Sequence, residues 1–267
     1  MSVAQLPDPA RGGSMESSRR LFLVWQNPET RAFAPVGALT VEPDGSSTFR
    51  YLRSAFDQQG FRPLASFPMF NRIYRSSELP PFFENRVMSR RRPDYPAYLS
   101  ALSLDVDRAT PFEVLARTGG DRATDTFHVV AEPEIDPGGA TVMRFLASGI
   151  RHIDGARGRA AGLPVGAHLR VRPEPDNPWN ARALLIDAAA DQPVGYVPDW
   201  MLGFVRHLIE ADPGYRLVVE QAGGLDTPSH LQLLCRLEAR LQPGYRPFTD
   251  DAFDYVEVTD EEPLESS

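Results

Sequence analysis

The stretch PEPDNPWNARA, residues 173–183, holds side chains that could recognise a ligand, and it lies between two β-prone runs. Trp179 stands among prolines with Asn177 and Asn180 on either side, and Tyr196 follows in the next run, PVGYVP. An aromatic face can stack on a flat ring, and an asparagine amide both donates and accepts hydrogen bonds. These residue types predict a binding surface more than a catalytic centre.

Motifs that would carry catalysis or hold a metal do not occur in the sequence. There is no P-loop, no G-x-S-x-G and no H-E-x-x-H. The single cysteine, Cys235, excludes a disulfide framework and a cysteine-based zinc site. The histidines are scattered without a metal-binding spacing, at positions 128, 152, 168, 207 and 230. We therefore predict a protein that is not an enzyme, with no catalytic residue, no cofactor and no metal.

The charge is unevenly distributed along the chain. The net charge is −8, but the segment 247–267 contains eight acids and no base, so residues 1–246 carry 28 acids against 28 bases. Every base is arginine, and residues 144–182 hold seven arginines against three acids. Arginine suits bidentate phosphate contacts and stacking on bases, so this local excess indicates an electrostatic footprint for nucleic acid.

Turn signals and hydrophobic patterns predict the elements that must position these residues. The runs LFLVW, PVGALTVE and TFRYL predict an antiparallel meander, and Ser76 or Ser77 is expected to cap a short helix. TPFEVLARTGG predicts a helix with Thr110 as N-cap and Gly119 as its end. The second half reads as further strands and one amphipathic helix, DWMLGFVRHLIEA, with Asp199 as N-cap.

These elements predict an α+β protein of two modules. We expect a disordered leader over residues 1–20, a first module over 21–135, a second over 140–246 and an acidic disordered tail over 247–267, with the boundary near 134–140. The first twenty residues lack the apolar centre of a secretory signal, and no long apolar run suggests a membrane span. We therefore expect a cytoplasmic protein without a membrane partner.

Residues 140–235 resemble the HIRAN domain in three separated motifs that occur in the order of that family. The matching residues are Gly149, Ile150 and Arg151, then Glu174, Asn177, Pro178, Trp179 and Ala183, and finally Gly195, Tyr196 and Pro198. The resemblance implies an OB-like small β-barrel that binds single-stranded DNA and holds its free 3′ end in a pocket. It also implies a setting in DNA repair or in defence against foreign DNA.

The resemblance assigns roles to individual residues of this chain. The predicted nucleic-acid-binding residues are Arg151, His152, Asn177, Trp179, Asn180 and Tyr196, and the predicted phosphate-steering residues are Arg157, Arg159, Arg170 and Arg172. Two of these depart from the family, since Asn180 replaces an aspartate that helps to hold the 3′ hydroxyl and His152 replaces an aromatic residue. We therefore expect a weakened preference for a 3′ end.

Residues 21–132 resemble the N-terminal subdomain of HipA-type proteins. The matching residues are Gly37, Leu39, Phe49, Tyr51, Phe83, Glu84, Asn85, Arg90, Gly119, Gly120 and Asp121. In that family a kinase-like lobe follows the subdomain, whereas this chain continues into the HIRAN-like module. The resemblance therefore implies a β/α module without kinase activity, through which a protein partner could bind.

Alternative interpretations remain for the same residues. Trp179 could cover one end of the barrel, Asn177 could cap its turn, Tyr196 could belong to the core, and Arg151 could form a local ion pair with Asp154. At the level of function, the alternatives to DNA binding are a protein-interaction adaptor and a nucleic-acid hydrolase. The only local carboxylates for hydrolysis are those of Glu174 and Asp176.

Overall fold

The structure is a computed structural model that describes residues 18–122, 124–241 and 251–258. Over these residues the chain forms two antiparallel sheets, one in each predicted module. No helix in the described part is long and apolar enough to cross a membrane.

The first module is built on a five-stranded sheet with the order β4-β3-β2-β1-β5. The predicted meander is confirmed, since β1 pairs with β2 and β2 with β3, all antiparallel. Strand β1 is buried along most of its length because both faces of the sheet are covered. The elements, in chain order, are β1 (Arg19–Gln26), β2 (Phe33–Val41), β3 (Ser47–Tyr51), β4 (Tyr74–Ser76), α1 (Pro81–Glu84), α2 (Tyr95–Ala101), α3 (Pro111–Thr118) and β5 (Phe127–Ala131).

The predicted capping residues are confirmed for helix α3, and the predicted N-cap of helix α1 is wrong. The Thr110 side chain accepts from the backbone of Glu113, whose carboxylate accepts from Thr110 in return, and Gly119 ends the helix at φ +73°. Ser76, by contrast, ends strand β4, and α1 begins at Pro81 after Pro80. Proline is favoured at the first helical position, so this proline pair moves the helix start past the serines.

The second module is a six-stranded sheet with the order β6-β11-β10-β7-β8-β9. Asp199 does not cap α5, because the chain enters that helix through a 3₁₀ turn over Asp199–Met201. Residues 132–139 connect β5 of the first module with β6. The elements are β6 (Ala140–Leu146), α4 (Ala156–Ala161), β7 (His168–Pro173), β8 (Leu184–Asp187), β9 (Pro193–Tyr196), α5 (Leu202–Ala211), β10 (Arg216–Ala222) and β11 (Leu233–Arg240).

This sheet closes on itself through two residues at its outer strands. The backbone N–H of Ser148 donates to the carbonyl of Tyr196, and the N–H of Tyr196 donates to the carbonyl of Ser148, each at 2.9 Å. The pair joins β9 to the chain just after β6, so the six strands form a small barrel. The predicted α+β fold, with a HipA-N-like β/α module followed by an OB-like barrel, is confirmed.

The two modules share apolar packing. Val24 and Val130 of the first module belong to the core cluster of the barrel. Leu231, which comes just before β11, packs with Tyr95 and Leu99 of α2. Helix α3 also contacts strand β6 directly. The modules therefore pack against each other and are not separated by a free linker.

Residues 251–258 return to the first module and correct the predicted disordered tail there. Phe253 packs edge-on against Phe22, with ring centroids 4.9 Å apart, and Tyr255 bridges to Leu52. The guanidinium of Arg50 lies 4.1 Å above the Tyr255 ring. The acids of this segment outnumber its aromatic residues, so nothing in the sequence indicated that Phe253 and Tyr255 cover the outer face of the sheet. Residues 242–250 and 259–267 lie outside the described residues.

The predicted disordered leader also ends earlier than expected. Strand β1 begins at Arg19, where its backbone pairs with Val41 of β2. The side chain of Arg20 forms an ion pair with Glu132. Residues 1–17 lie outside the described part of the chain, so that portion of the prediction stays a prediction.

Candidate nucleic-acid interface

The loop that joins β7 to β8 is organised by Asn177. Its side-chain oxygen accepts from the backbone N–H groups of Trp179 at 3.0 Å and Asn180 at 3.1 Å. Its amide nitrogen donates to the carboxylate of Glu174 at 2.6 Å. The alternative interpretation of Asn177 as a turn cap is therefore confirmed, and most of its hydrogen-bonding capacity is used within the loop.

Trp179 projects from this loop into solvent. Its side chain is 93% exposed, more than any other large apolar residue in the described part of the chain. The interpretation of Trp179 as a cover for the barrel is wrong, since a cover would bury the ring. An indole held on a fixed backbone and left in water presents a free stacking face.

Tyr196 is half-buried on strand β9 and lies against the same loop. Burial and a hydrogen bond to Glu174 raise the pKa of its hydroxyl, while an interaction with Asn177 acts in the opposite direction. The ring packs over Gly149, which has φ +67° and where a Cβ atom would lie 2.7 Å from the Tyr196 ring. Glycine is therefore required under this ring, both for its backbone angle and for space.

Arg151 and His152 occupy the 3₁₀ turn that follows Gly149. Both side chains are exposed, and Nε of Arg151 donates to Nε2 of His152 at 2.9 Å. The predicted ion pair of Arg151 with Asp154 does not form among the described residues. The arginine charge is therefore not neutralised by a carboxylate in its own turn.

The Asn180 side chain forms hydrogen bonds within the protein. Its amide nitrogen donates to the carboxylate of Asp199 at 2.8 Å, and its side-chain oxygen accepts from the N–H of Arg182 at 2.9 Å. These bonds tie the loop to the turn before α5. An aspartate here would place two carboxylates together, so the asparagine suits its Asp199 partner.

The predicted steering arginines fall into three environments. Arg157 binds the carbonyls of Leu225 and Thr227, and Arg159 binds the carbonyl of Pro193, so both keep their charge while fixed to the barrel. Arg172 pairs with the buried carboxylate of Asp187 at 2.6 Å, which neutralises it. Arg170 is exposed on β7.

The structure thus brings Asn177, Trp179 and Tyr196 together around Glu174, with Arg151 and His152 on the adjoining turn. Asn180 belongs to the supporting framework instead. Glu174, considered for hydrolysis from the sequence, is bonded by both Asn177 and Tyr196. Within the described residues no group of three or more histidine, cysteine or acidic side chains could hold a metal ion.

Sequence reasoning missed a large cavity between the two modules. It has a volume of about 1080 Å³ and is lined by residues from both, including Arg19, Arg122, Arg144, Arg151, His152 and Trp200. Arginines from the first module had no role in the predicted site, because no local pattern relates them to the barrel. Only packing of α3 and β5 against the barrel brings them to this cavity.

One family model matches part of the first module. Residues 32–123 match the family described as the HipA N-terminal domain. This match confirms the resemblance predicted for that half of the chain. No curated protein matches the sequence.

Two solved structures are similar to parts of the chain. One is the HIRAN domain of human HLTF, with 14% identity and a TM-score of 0.32, covering 44% of this chain and 93% of that domain. The other is a protein from Lactobacillus plantarum, with 17% identity and a TM-score of 0.30, covering 39% of this chain and 100% of the other.

Proposed function

We propose that the chain binds single-stranded DNA, including its 3′ ends, on the barrel surface formed by Trp179, Tyr196, Asn177, Arg151 and His152. The observation that carries this proposal is the Trp179 side chain, 93% exposed on a loop whose backbone Asn177 holds in place. The exposed indole presents an apolar face on which a flat ring could stack. A stacked base covers it without sequence preference.

Charge near this surface supports a polyanionic ligand. Arg151 is exposed on the turn after Gly149, and Arg157 and Arg159 are held by carbonyl oxygens, which leave the guanidinium charge available to phosphates. Asn177 and Asn180 are engaged within the protein, which favours stacking and phosphate contacts over recognition of a terminal hydroxyl. We therefore propose a single-strand platform that tolerates a blocked 3′ end.

The proposed role is binding without catalysis. The carboxylate of Glu174 orients Asn177 and Tyr196, and this arrangement supports a structural part for it over attack on a phosphodiester. The motif resemblance to HIRAN domains supports DNA repair or defence against foreign DNA, in a bacterial cytoplasm, as the setting.

Fluorescence anisotropy with three labelled oligonucleotides tests the proposal. The ligands are DNA with a free 3′ hydroxyl, the same DNA with a 3′ phosphate, and RNA of the same sequence. We expect both DNAs to bind with similar affinity, and Trp179→Ala to weaken each roughly ten-fold or more. Absence of binding to all three at low salt would refute nucleic-acid binding. Strong rejection of the 3′ phosphate would instead show an end-binding pocket.

A second candidate is a protein-interaction adaptor, and an exposed apolar patch on the first module favours it. Phe56 is 57% and Met69 50% exposed, and the Phe56 ring lies 4.6 Å from that of Phe70. Contiguous apolar surface of this kind marks many binding sites for proteins. Crosslinking of the wild-type chain and of Phe56→Glu in the source cell tests it. A partner captured by the wild type and absent with the variant supports the adaptor, while identical sets exclude this patch.

A further inference from the structure

The cavity between the modules shares two residues, Arg151 and His152, with the proposed binding surface. Arg151 and His152 lie on the turn after Gly149, which packs under the Tyr196 ring, and both also line the cavity. A strand held on the barrel surface would therefore meet the cavity at Arg151. From there the lining passes from the barrel to the first module, whose contributions include Arg19 and Arg122.

The lining of the cavity has an excess of positive charge. Seven arginines and four carboxylates line it, and several of these are paired within the protein. Arg20 pairs with Glu132, Arg86 with Asp125 and Arg144 with Glu220. Glu113 is engaged by the backbone and hydroxyl of Thr110. The other two lining carboxylates, Asp121 and Glu134, are both exposed, at positions where water screens them.

Of the other four lining arginines, Arg117 donates to the carbonyl oxygens of Leu102 and Ser103. The remaining three have no carboxylate partner at hydrogen-bonding distance among the described residues. Arg122 is exposed in the turn after α3, and the Nε of Arg151 donates to Nε2 of His152. The guanidinium of Arg19 lies 4.0 Å over the Phe112 ring, and its buried Nε has no hydrogen-bond partner. Arg19 also lines the cavity, where its positive charge would attract an anionic group.

We propose that the cavity is a phosphate track that extends the single-strand site from the barrel onto the first module, with Arg151, Arg122 and Arg19 as its cationic contacts. The proposal rests on the single-strand binding proposed above. It gives the HipA-N-like module a direct part in binding the nucleic-acid backbone. Its ligand is the phosphodiester chain, which carries no sequence information of its own.

Oligonucleotides of two lengths distinguish binding that uses this track from binding to the barrel surface alone. We would measure anisotropy with oligothymidylates of about 4 and about 16 nucleotides, which bracket the site sizes of single OB folds. The variants are Arg122→Gln, the double variant Arg19→Gln with Arg122→Gln, and Arg62→Gln as a control. Arg62 is an exposed arginine of the same module that does not line the cavity. Thermal unfolding of each variant monitors its fold.

We expect Arg122→Gln to weaken the long oligonucleotide several-fold and the double variant roughly ten-fold, with little change for the short one. The dependence of log affinity on log salt should become shallower by about 0.7 for each phosphate that a variant no longer neutralises. Arg62→Gln should match the wild type. Arg122→Gln alone suffices for the test if the double variant does not fold, because Arg122 is exposed.

Failure of the single-strand proposal and failure of the track proposal give different results. If the wild-type chain binds neither oligonucleotide, the proposed single-strand function fails, and the track with it. If the wild type binds both and Trp179→Ala weakens both, while the arginine variants keep wild-type affinity and salt dependence, the barrel alone binds DNA and the track is refuted.

Discussion

The rings of His128 and Trp200 stack across the module boundary, with centroids 4.2 Å apart and planes 10° from parallel. Phe33 meets the His128 ring edge-on at 5.5 Å. On the other side of the indole lies Gly119, whose φ of +73° and missing Cβ let the chain pass close to Trp200. This aromatic group joins strands β2 and β5 of the first module to the turn before α5.

Removing the indole should therefore loosen the packing between the modules. We expect Trp200→Ala to lower the free energy of unfolding by about 2 kcal/mol, because truncating the half-buried ring leaves a cavity and removes the stacking partner of His128. Urea unfolding followed by intrinsic fluorescence and circular dichroism measures this. Trp179→Ala is the matched control, since an exposed tryptophan should change stability by less than about 0.5 kcal/mol. Equal effects of the two substitutions would contradict the interface.

His128 should make stability depend on pH. Burial lowers the pKa of its imidazole, against a smaller opposing effect from Asp121, whose carboxylate is 3.7 Å away. The unfolded chain therefore takes up the proton first, and stability should fall as pH drops below about 6.5 and level off above it. Urea midpoints across this range measure the effect.

A non-titrating ring provides the control for that prediction. His128→Phe keeps a flat ring against Trp200 and removes the ionisation, so the fall in stability below about pH 6.5 should become smaller. An unchanged pH profile in His128→Phe would assign the dependence to other groups.

Asn180 and Asp199 should show strong coupling. Asn180→Asp places a second carboxylate at the 2.8 Å contact, and we expect a decrease of about 1 kcal/mol in stability at neutral pH. Adding Asp199→Asn should restore most of the lost stability, because the pair again consists of one amide and one carboxylate. A double-mutant cycle from urea unfolding measures the coupling, and additive single effects would show that the contact contributes little.

The C-terminal segment should stabilise the first module. Truncation before Asp251 removes Phe253 and Tyr255 from the outer face of the sheet, where they contact Phe22 and Leu52. We expect a decrease of about 2 kcal/mol in the free energy of unfolding, from the apolar area returned to water. Truncation after Val258 keeps these aromatic residues in place and should leave the unfolding midpoint near that of the full chain. Identical behaviour of the two truncations would contradict a stabilising role.

Local patterns predicted much of the fold correctly. The meander of β1, β2 and β3 followed from β-prone runs between turn signals, and Thr110 and Gly119 marked the ends of α3 because caps depend on nearby backbone groups. The prediction was wrong for residues 251–258, where the acidic composition suggested disorder although Phe253 and Tyr255 pack against the first module. A short segment with two anchoring aromatic residues has too few apolar positions to show a period.

For the candidate site too, some features could be predicted from the sequence and others could not. By itself, the sequence indicated the residues of the candidate site, from Asn177 and Trp179 to Tyr196, because they lie within one hairpin and an adjoining strand. Only the tertiary structure decided that Trp179 is exposed, that Asn180 serves Asp199, and that Arg19 and Arg122 share a cavity with Arg151. These relationships join residues far apart in the chain, and they arise from closure of the barrel at Ser148 and Tyr196 and from packing of the modules through His128 and Trp200. Such long-range contacts leave no local period in the sequence.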